Sequence, residues 1–158
     1  MDDSSRPYRS GAASISSVEP KIEEYTYDST LDSVDTAEEI VLKHAQEMGF
    51  EEDDLHKIGM SIRECMVNAV VHGNRYNARK KVYLTIVRSP GRLEIRIADE
   101  GDHFDMSQLP DPLADENLLR HSGRGLLLMQ AFMDEFQIRP RQPKGTEVKL
   151  VKTTAQAG

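Results

Sequence analysis

The sequence predicts an α+β fold, a two-layer sandwich of one mostly antiparallel sheet with helices on one face. Three observations predict it. Leu55, Ile58, Ile62, Cys65, Met66 and Ala69 recur at steps of three and four, the spacing of one buried helical face. Residues 81–88 and 92–98 read as strands on either side of Ser89-Pro90-Gly91, a strong turn signal, and should form a hairpin. In the second strand Leu93, Ile95 and Ile97 alternate with Glu94 and Arg96, which means a sheet covered on one side only.

The elements follow in order. Residues 1–20 hold Ser4, Ser5, Ser10, Ser14, Ser16 and Ser17 with Pro7, Gly11 and Pro20, and have few large apolar groups to offset the entropy of ordering. They are expected to be a disordered tail, with a domain over 21–153 and a short tail over 154–158. Ile22, Tyr25, Thr26 and Tyr27 predict a strand over 22–27. Ser29 or Thr30 can cap the next helix, which has an approximate stripe of Leu31, Val34, Ile40, Val41, Ala45 and Met48 and a stop at Gly49. Asp53 or a neighbouring acid opens a second helix, expected to run to about Val71 and to end at His72-Gly73-Asn74. After the hairpin, a polar stretch from Gly101 to Gly123 contains Pro110 and Pro112. Long connections of this kind inside a domain are often functional lids. A helix with Leu126, Leu127, Met129, Phe132 and Met133 is expected to start near Gly125. Residues 136–139 and 147–152 then form a closing hairpin around Pro143-Lys144-Gly145.

Composition narrows the function. The chain has 158 residues, enough for one real core, and 38% of them are hydrophobic. Its 20 Lys and Arg against 27 Asp and Glu give a net charge of -7, which argues against a direct nucleic-acid partner. The single Cys65 excludes an internal disulfide and a Cys-rich zinc site. There is no apolar run of the roughly 20 residues that span a bilayer, and no basic start followed by an apolar stretch. A soluble cytoplasmic protein without a membrane partner is the expectation.

Four places carry candidate chemistry. Glu64 and Asn68 stand four apart beside the apolar stripe of the second helix, and His72 continues the row. A solvated helix edge also fits these residues. Asp99 has the parity of Leu93, Ile95 and Ile97, so it should point into the mouth of the core, where a carboxylate needs hydrogen-bond donors. An exocyclic amine of a base is a natural donor, and Gly101 lets the backbone approach a flat ligand; a strand-end Asx turn fits as well. Gly123-Arg124-Gly125-Leu126 resembles an anion site at a helix start, or simply a loop-to-helix joint. Gly145-Thr146 alone means little more than a turn. Phosphate-loop, zinc-helix and nucleophile-elbow motifs are absent from the sequence.

The order of these signals is more specific than any one of them. It resembles the GHKL superfamily of ATPases, to which histidine kinases, DNA gyrase and MutL belong. Glu64 to Gly73 (ECMVNAVVHG), Ser122 to Phe136 (SGRGLLLMQAFMDEF) and Lys144 to Lys149 (KGTEVK) are very similar to its branch of bacterial anti-sigma factor serine/threonine kinases. The resemblance covers about residues 22–152 and implies the histidine-kinase-like ATPase fold. It implies that Glu64 is the catalytic base and that Asn68 holds Mg²⁺. It also implies that Asp99 accepts from the adenine amino group with support from Thr146. His72, Gly101, Gly123, Arg124, Gly125 and Leu126 join the expected ATP-binding set. The expected function is an anti-sigma factor and ATP-dependent protein kinase. Its substrate would be an anti-sigma-factor antagonist, its second partner a sigma factor, and its state a homodimer. The alternative is an ATP-dependent regulatory binding module without phosphotransfer. Two positions depart from the family pattern: His103 stands where the second glycine of D-x-G-x-G is expected, and Val71 where histidine kinases often carry a basic residue.

Overall fold

The computed structural model describes residues 19–102 and 121–154, with the backbone alone over 121–124. Its elements are β1 (Lys21–Asp28), α1 (Leu31–Glu47), α2 (Glu52–Val67), a π-helical segment (Asn68–Gly73), β2 (Lys81–Ser89), β3 (Arg92–Ala98), α3 (His121–Phe132), β4 (Glu135–Pro140) and β5 (Thr146–Thr153). The strands form one antiparallel sheet in the order β1-β2-β3-β5-β4. The expected tail over 1–20 lies outside the described residues up to residue 18. The same holds for 155–158, for His103 and for the stretch 103–120 that was expected to be a lid.

Local chemistry explains the first two helices. Thr30 caps α1, its hydroxyl accepting from the Ser33 N–H at 3.4 Å. Val34, Ala37, Val41 and Ala45 form its buried stripe, and Gly49 ends it at φ +88°. Leu31 was expected in the stripe but is 52% exposed. Ser33 takes the inward place in that first turn, because its hydroxyl donates to the Asp28 carbonyl at 2.8 Å, which an aliphatic side chain cannot do. Glu52, Asp53 and Asp54 fill the first turn of α2, where negative charge suits the helix dipole. Ile58, Ile62, Cys65 and Met66 turn inward below them.

Together these side chains meet one face of the sheet. Val82, Leu84 and Ile86 of β2, Leu93, Ile95 and Ile97 of β3 and Leu150 of β5 are all buried against the helices, with Leu126 and Met129 of α3 and the following Met133. The hairpin register pairs Ile86 with Ile95 and Leu84 with Ile97, so the apolar residues align across strands. On the opposite face Glu94 sits between Arg92 and Arg96, at 3.0 Å and 2.6 Å. Burial pushes its carboxyl up, but the hydrogen bonds from both arginines prevail and hold it below the usual carboxylate range.

Two helix boundaries differ from expectation. The second helix is not α-helical to Val71: after Val67 its hydrogen bonding widens to the π pattern, with the Asn74 N–H donating to the Ala69 carbonyl at 2.8 Å. The last helix starts at His121 rather than near Gly125. Glycine costs a helix only about 1 kcal/mol relative to alanine, and packing of Gly125 on α2 outweighs that. Among the described residues, no helix is long and apolar enough to cross a membrane.

Ile95 is fully buried at the centre of this core. Ile95→Ala should lower the unfolding free energy by about 2–5 kcal/mol in a urea titration.

Candidate functional site

The candidate site lies where β3, β5 and the end of α2 converge. Asp99 follows β3 directly and is 7% exposed. Its N–H donates to the Thr146 carbonyl at 2.9 Å. Its Oδ1 accepts from the Gly101 N–H at 2.9 Å, and a backbone hydrogen bond from Thr146 also favours the ionised carboxylate. The support from Thr146 therefore runs through its backbone. Three glycines close around Asp99. A Cβ on Gly73 would overlap the Asp99 carboxylate, one on Gly101 would overlap the Gly73 carbonyl, and one on Gly145 would overlap the Asp99 carbonyl. Gly145 also has φ +107°, a conformation that side chains rarely adopt.

Burial pushes the Asp99 carboxyl above its ordinary value. The Gly101 and Thr146 N–H groups offset this in part, as do the charges of Arg141 and Lys80. The neighbouring Glu100 behaves in the opposite way. The Lys81 N–H and the Tyr83 hydroxyl donate to it at 2.7 Å and 2.9 Å, and its carboxyl is held below the usual range by the Lys81 bond first. The Arg141 guanidinium stacks on Tyr83, 4.8 Å from the ring centre.

The polar row on α2 lies at the other end of this region. Glu64 and Asn68 are half-buried and one helical turn apart, Asn68 standing at the C-cap. Asn68 Oδ1 is enclosed and has no hydrogen-bond partner among the described residues. A buried amide oxygen in that condition wants a donor or a cation. The Glu64 side chain packs directly against Gly125, where a Cβ would overlap its carboxylate. Beside this contact the Cys65 thiol reaches Met129 Sδ at 3.0 Å and ties α2 to α3. Burial, and secondly the charge of Glu64, push that thiol up.

The remaining expected residues are placed unevenly. His72 is exposed, and the π segment takes it out of the α-helical row with Glu64 and Asn68. The widened turn adds a residue per bond and brings Gly73 to Asp99 instead. Gly123 and Arg124 lie within the first turn of α3, and the Arg124 side chain is outside the described residues. Leu126 is buried in the core. The helix start expected at Gly123 to Leu126, as an anion site or as a loop-to-helix joint, thus lies earlier, and all four residues are within α3. Reading the sequence missed Asn74, which is 1% exposed at the end of the π segment, and missed the packing roles of Gly73 and Gly145. The signal was there in Gly73-Asn74, directly after a polar helical row, but it reads most simply as a helix stop.

A recessed carboxylate walled by backbone, an amide oxygen with no partner among the described residues and a carboxylate packed on a helix glycine lie along one region. They sit on a sheet whose helices cover one face. The histidine kinase-like ATPase domain family matches residues 27–152, and the chain belongs to that family. Among its relatives are the anti-sigma F factors of Bacillus thuringiensis (strain Al Hakam) and Bacillus mycoides (strain KBAB4). Each is 30% identical over 102 residues, which are 63% of this chain and 70% of the relative. The fold is also similar to a solved structure of the RsbU and RsbW domains of a Mycobacterium tuberculosis protein, with a TM-score of 0.59 at 17% identity. That match covers 84% of this chain and 32% of the solved one.

The raised pKa of Asp99 has a consequence for stability. A carboxyl whose folded pKa lies above its unfolded value disfavours folding once it is ionised, and the penalty vanishes below the unfolded pKa. Without nucleotide, Asp99→Asn should therefore be at least as stable as the wild type at pH 7. Its advantage should shrink as pH falls through the raised pKa toward 3.8. Thermal denaturation of both proteins across pH checks this.

Proposed function

We propose that the protein is an anti-sigma factor and an ATP-dependent serine/threonine kinase. It binds ATP with Asp99 accepting from the adenine amine, transfers the γ-phosphoryl group to a hydroxyl of an anti-sigma-factor antagonist, and holds a sigma factor. The observation that carries the reading is the enclosed, unpartnered Asn68 Oδ1 one helical turn from Glu64. Hard oxygen ligands suit Mg²⁺, which usually keeps several waters and takes the rest of its shell from substrate phosphates. Asn68 would hold that ion through Oδ1. When bound, it would neutralise charge on the phosphates.

The chain's own residues do the remaining work. Asp99 is fixed from its backbone on both sides and presents a carboxylate to an amine. Glu64 has a side chain fixed by Gly125 and would orient the attacking hydroxyl and take its proton. The amide of Gly123, in the first turn of α3 and ahead of the helix's own hydrogen bonds, would donate to a phosphate oxygen. His72, Arg124 and Thr146 complete the proposed ATP-binding set. The anti-sigma names of the relatives support the partners. A homodimer working in the cytoplasm, without direct contact to nucleic acid or membrane, completes the proposal.

The rival is an ATP-dependent binding module. It shares the Asp99 recess and Asn68 but gives Glu64 no task. Glu64→Gln keeps the size and loses the base. It should still bind ATP, while transferring label from γ-labelled ATP to the antagonist at least about 100-fold more slowly. If the wild type labels no partner yet holds one only with ATP present, the binding module replaces the kinase. Asn68→Ala should remove the Mg²⁺ dependence of ATP binding measured by calorimetry. A magnesium response equal to that of the wild type would take Asn68 out of the metal site.

A further inference from the structure

Asn74 is 1% exposed and uses its side chain to join three separate segments. Its Nδ2 donates to Ser29 Oγ in the turn between β1 and α1 and to the Lys81 carbonyl at the start of β2, both at 2.9 Å. Its Oδ1 accepts from the Glu100 N–H at 2.8 Å. Both amide protons and one oxygen lone pair are used; among uncharged side chains only the amides of Asn and Gln offer two donors and an acceptor, and Gln carries them one methylene further from the backbone. Its own N–H closes the π turn on the Ala69 carbonyl.

The bond to Glu100 has a geometric meaning. The peptide between Asp99 and Glu100 is planar, so its two ends turn together. At one end the Asp99 carbonyl packs against Gly145. At the other the Glu100 N–H is held by Asn74. With the Asp99 N–H on Thr146, the backbone of Asp99 is fixed on both sides of its Cα, which sets the direction of its Cα–Cβ bond, and the Gly101 N–H on Oδ1 holds the carboxylate from there. The Glu100 carboxylate, bound to the Lys81 N–H and the Tyr83 hydroxyl, holds the same residue from its side chain.

We infer that Asn74 is the positioning residue for base recognition: by pinning the Glu100 N–H it aims the Asp99 carboxylate at the amine of adenine. This rests on the proposed adenine contact of Asp99. It assigns Asn74 a role in choosing adenine over guanine, beyond its contribution to folding. Adenine offers an amine to the carboxylate, whereas guanine offers a carbonyl oxygen at the same place. A misaimed carboxylate loses affinity for ATP and loses none for GTP. Simple loss of folded protein, by contrast, lowers both affinities by the same factor and leaves their ratio unchanged.

The test measures Kd for Mg·ATP and Mg·GTP with the full 158-residue chain. Asn74→Ala should lower the ATP:GTP preference at least about tenfold, the scale of a lost hydrogen bond to a charged group. Ser29→Ala removes one partner of Asn74 but leaves the Glu100 bond, and should keep the preference within about twofold. An unchanged preference in Asn74→Ala overturns the inference while the adenine pocket stands. An equal loss in Ser29→Ala overturns the role of the Glu100 bond. A wild type with no preference for ATP overturns the adenine contact itself, and the inference with it. Should Asn74→Ala fail to fold, hydrogen exchange on the nucleotide-free wild type decides. The Glu100 amide should exchange at least about 100-fold more slowly than an unstructured amide, and exchange at the unstructured rate overturns the inference.

Discussion

Asp99 keeps a carboxylate at the edge of an apolar core, where desolvation works against its charge. The surrounding backbone answers that constraint. Two N–H groups stabilise the carboxylate, and three glycines let the chain close around it without side chains in the way. This packing fixes how β5 enters the sheet, how β3 leaves it and where the π segment must end. A residue with a Cβ at Gly73 or Gly145 would force one of those segments to move. The site is thus a property of how the elements meet, more than of any one loop.

The π segment lets a single helix serve two ends of the site. An unbroken α-helix would continue the row of Glu64 and Asn68 through residue 72. The wider turn instead ends that row at Asn68 and delivers Gly73 to Asp99 and Asn74 to Glu100. Widened turns of this kind are frequent at functional sites. The proposed phosphate end is joined to α3 through Glu64 on Gly125 and Cys65 on Met129.

Much of the architecture was legible because it follows periodicity. The alternation in residues 93–98 gave the covered face, and its parity placed Asp99 inward, where it is found. Steps of three and four gave the buried face of α2, and Ser89-Pro90-Gly91 gave the hairpin. The π turn was not legible, since Ala69, Val70 and Val71 carry no signal for it and the contacts at its end are with residues distant in sequence. The start of α3 was misplaced for a related reason: glycine is a breaker in isolation, but Gly125 is packed on Glu64. Asn74 was invisible because its partners, Ser29, Lys81 and Glu100, are far apart in sequence. The chemistry of Glu64, Asn68 and Asp99 stayed ambiguous residue by residue, and only the order of the motifs along the chain pointed to one family.

On the proposed function, the region between β3, β5 and the end of α2 is one nucleotide site, with a base end at Asp99 and a phosphate end at Asn68. Its most direct test is an NMR titration of the full chain with Mg·ATP, following backbone and side-chain amides. Gly73, Glu100, Gly101, Gly145 and Thr146 should shift together with the Asn68 side-chain amide, along one saturation curve. Shifts confined to the opposite sheet face around Glu94 and Arg96, or none at saturating nucleotide, would contradict it.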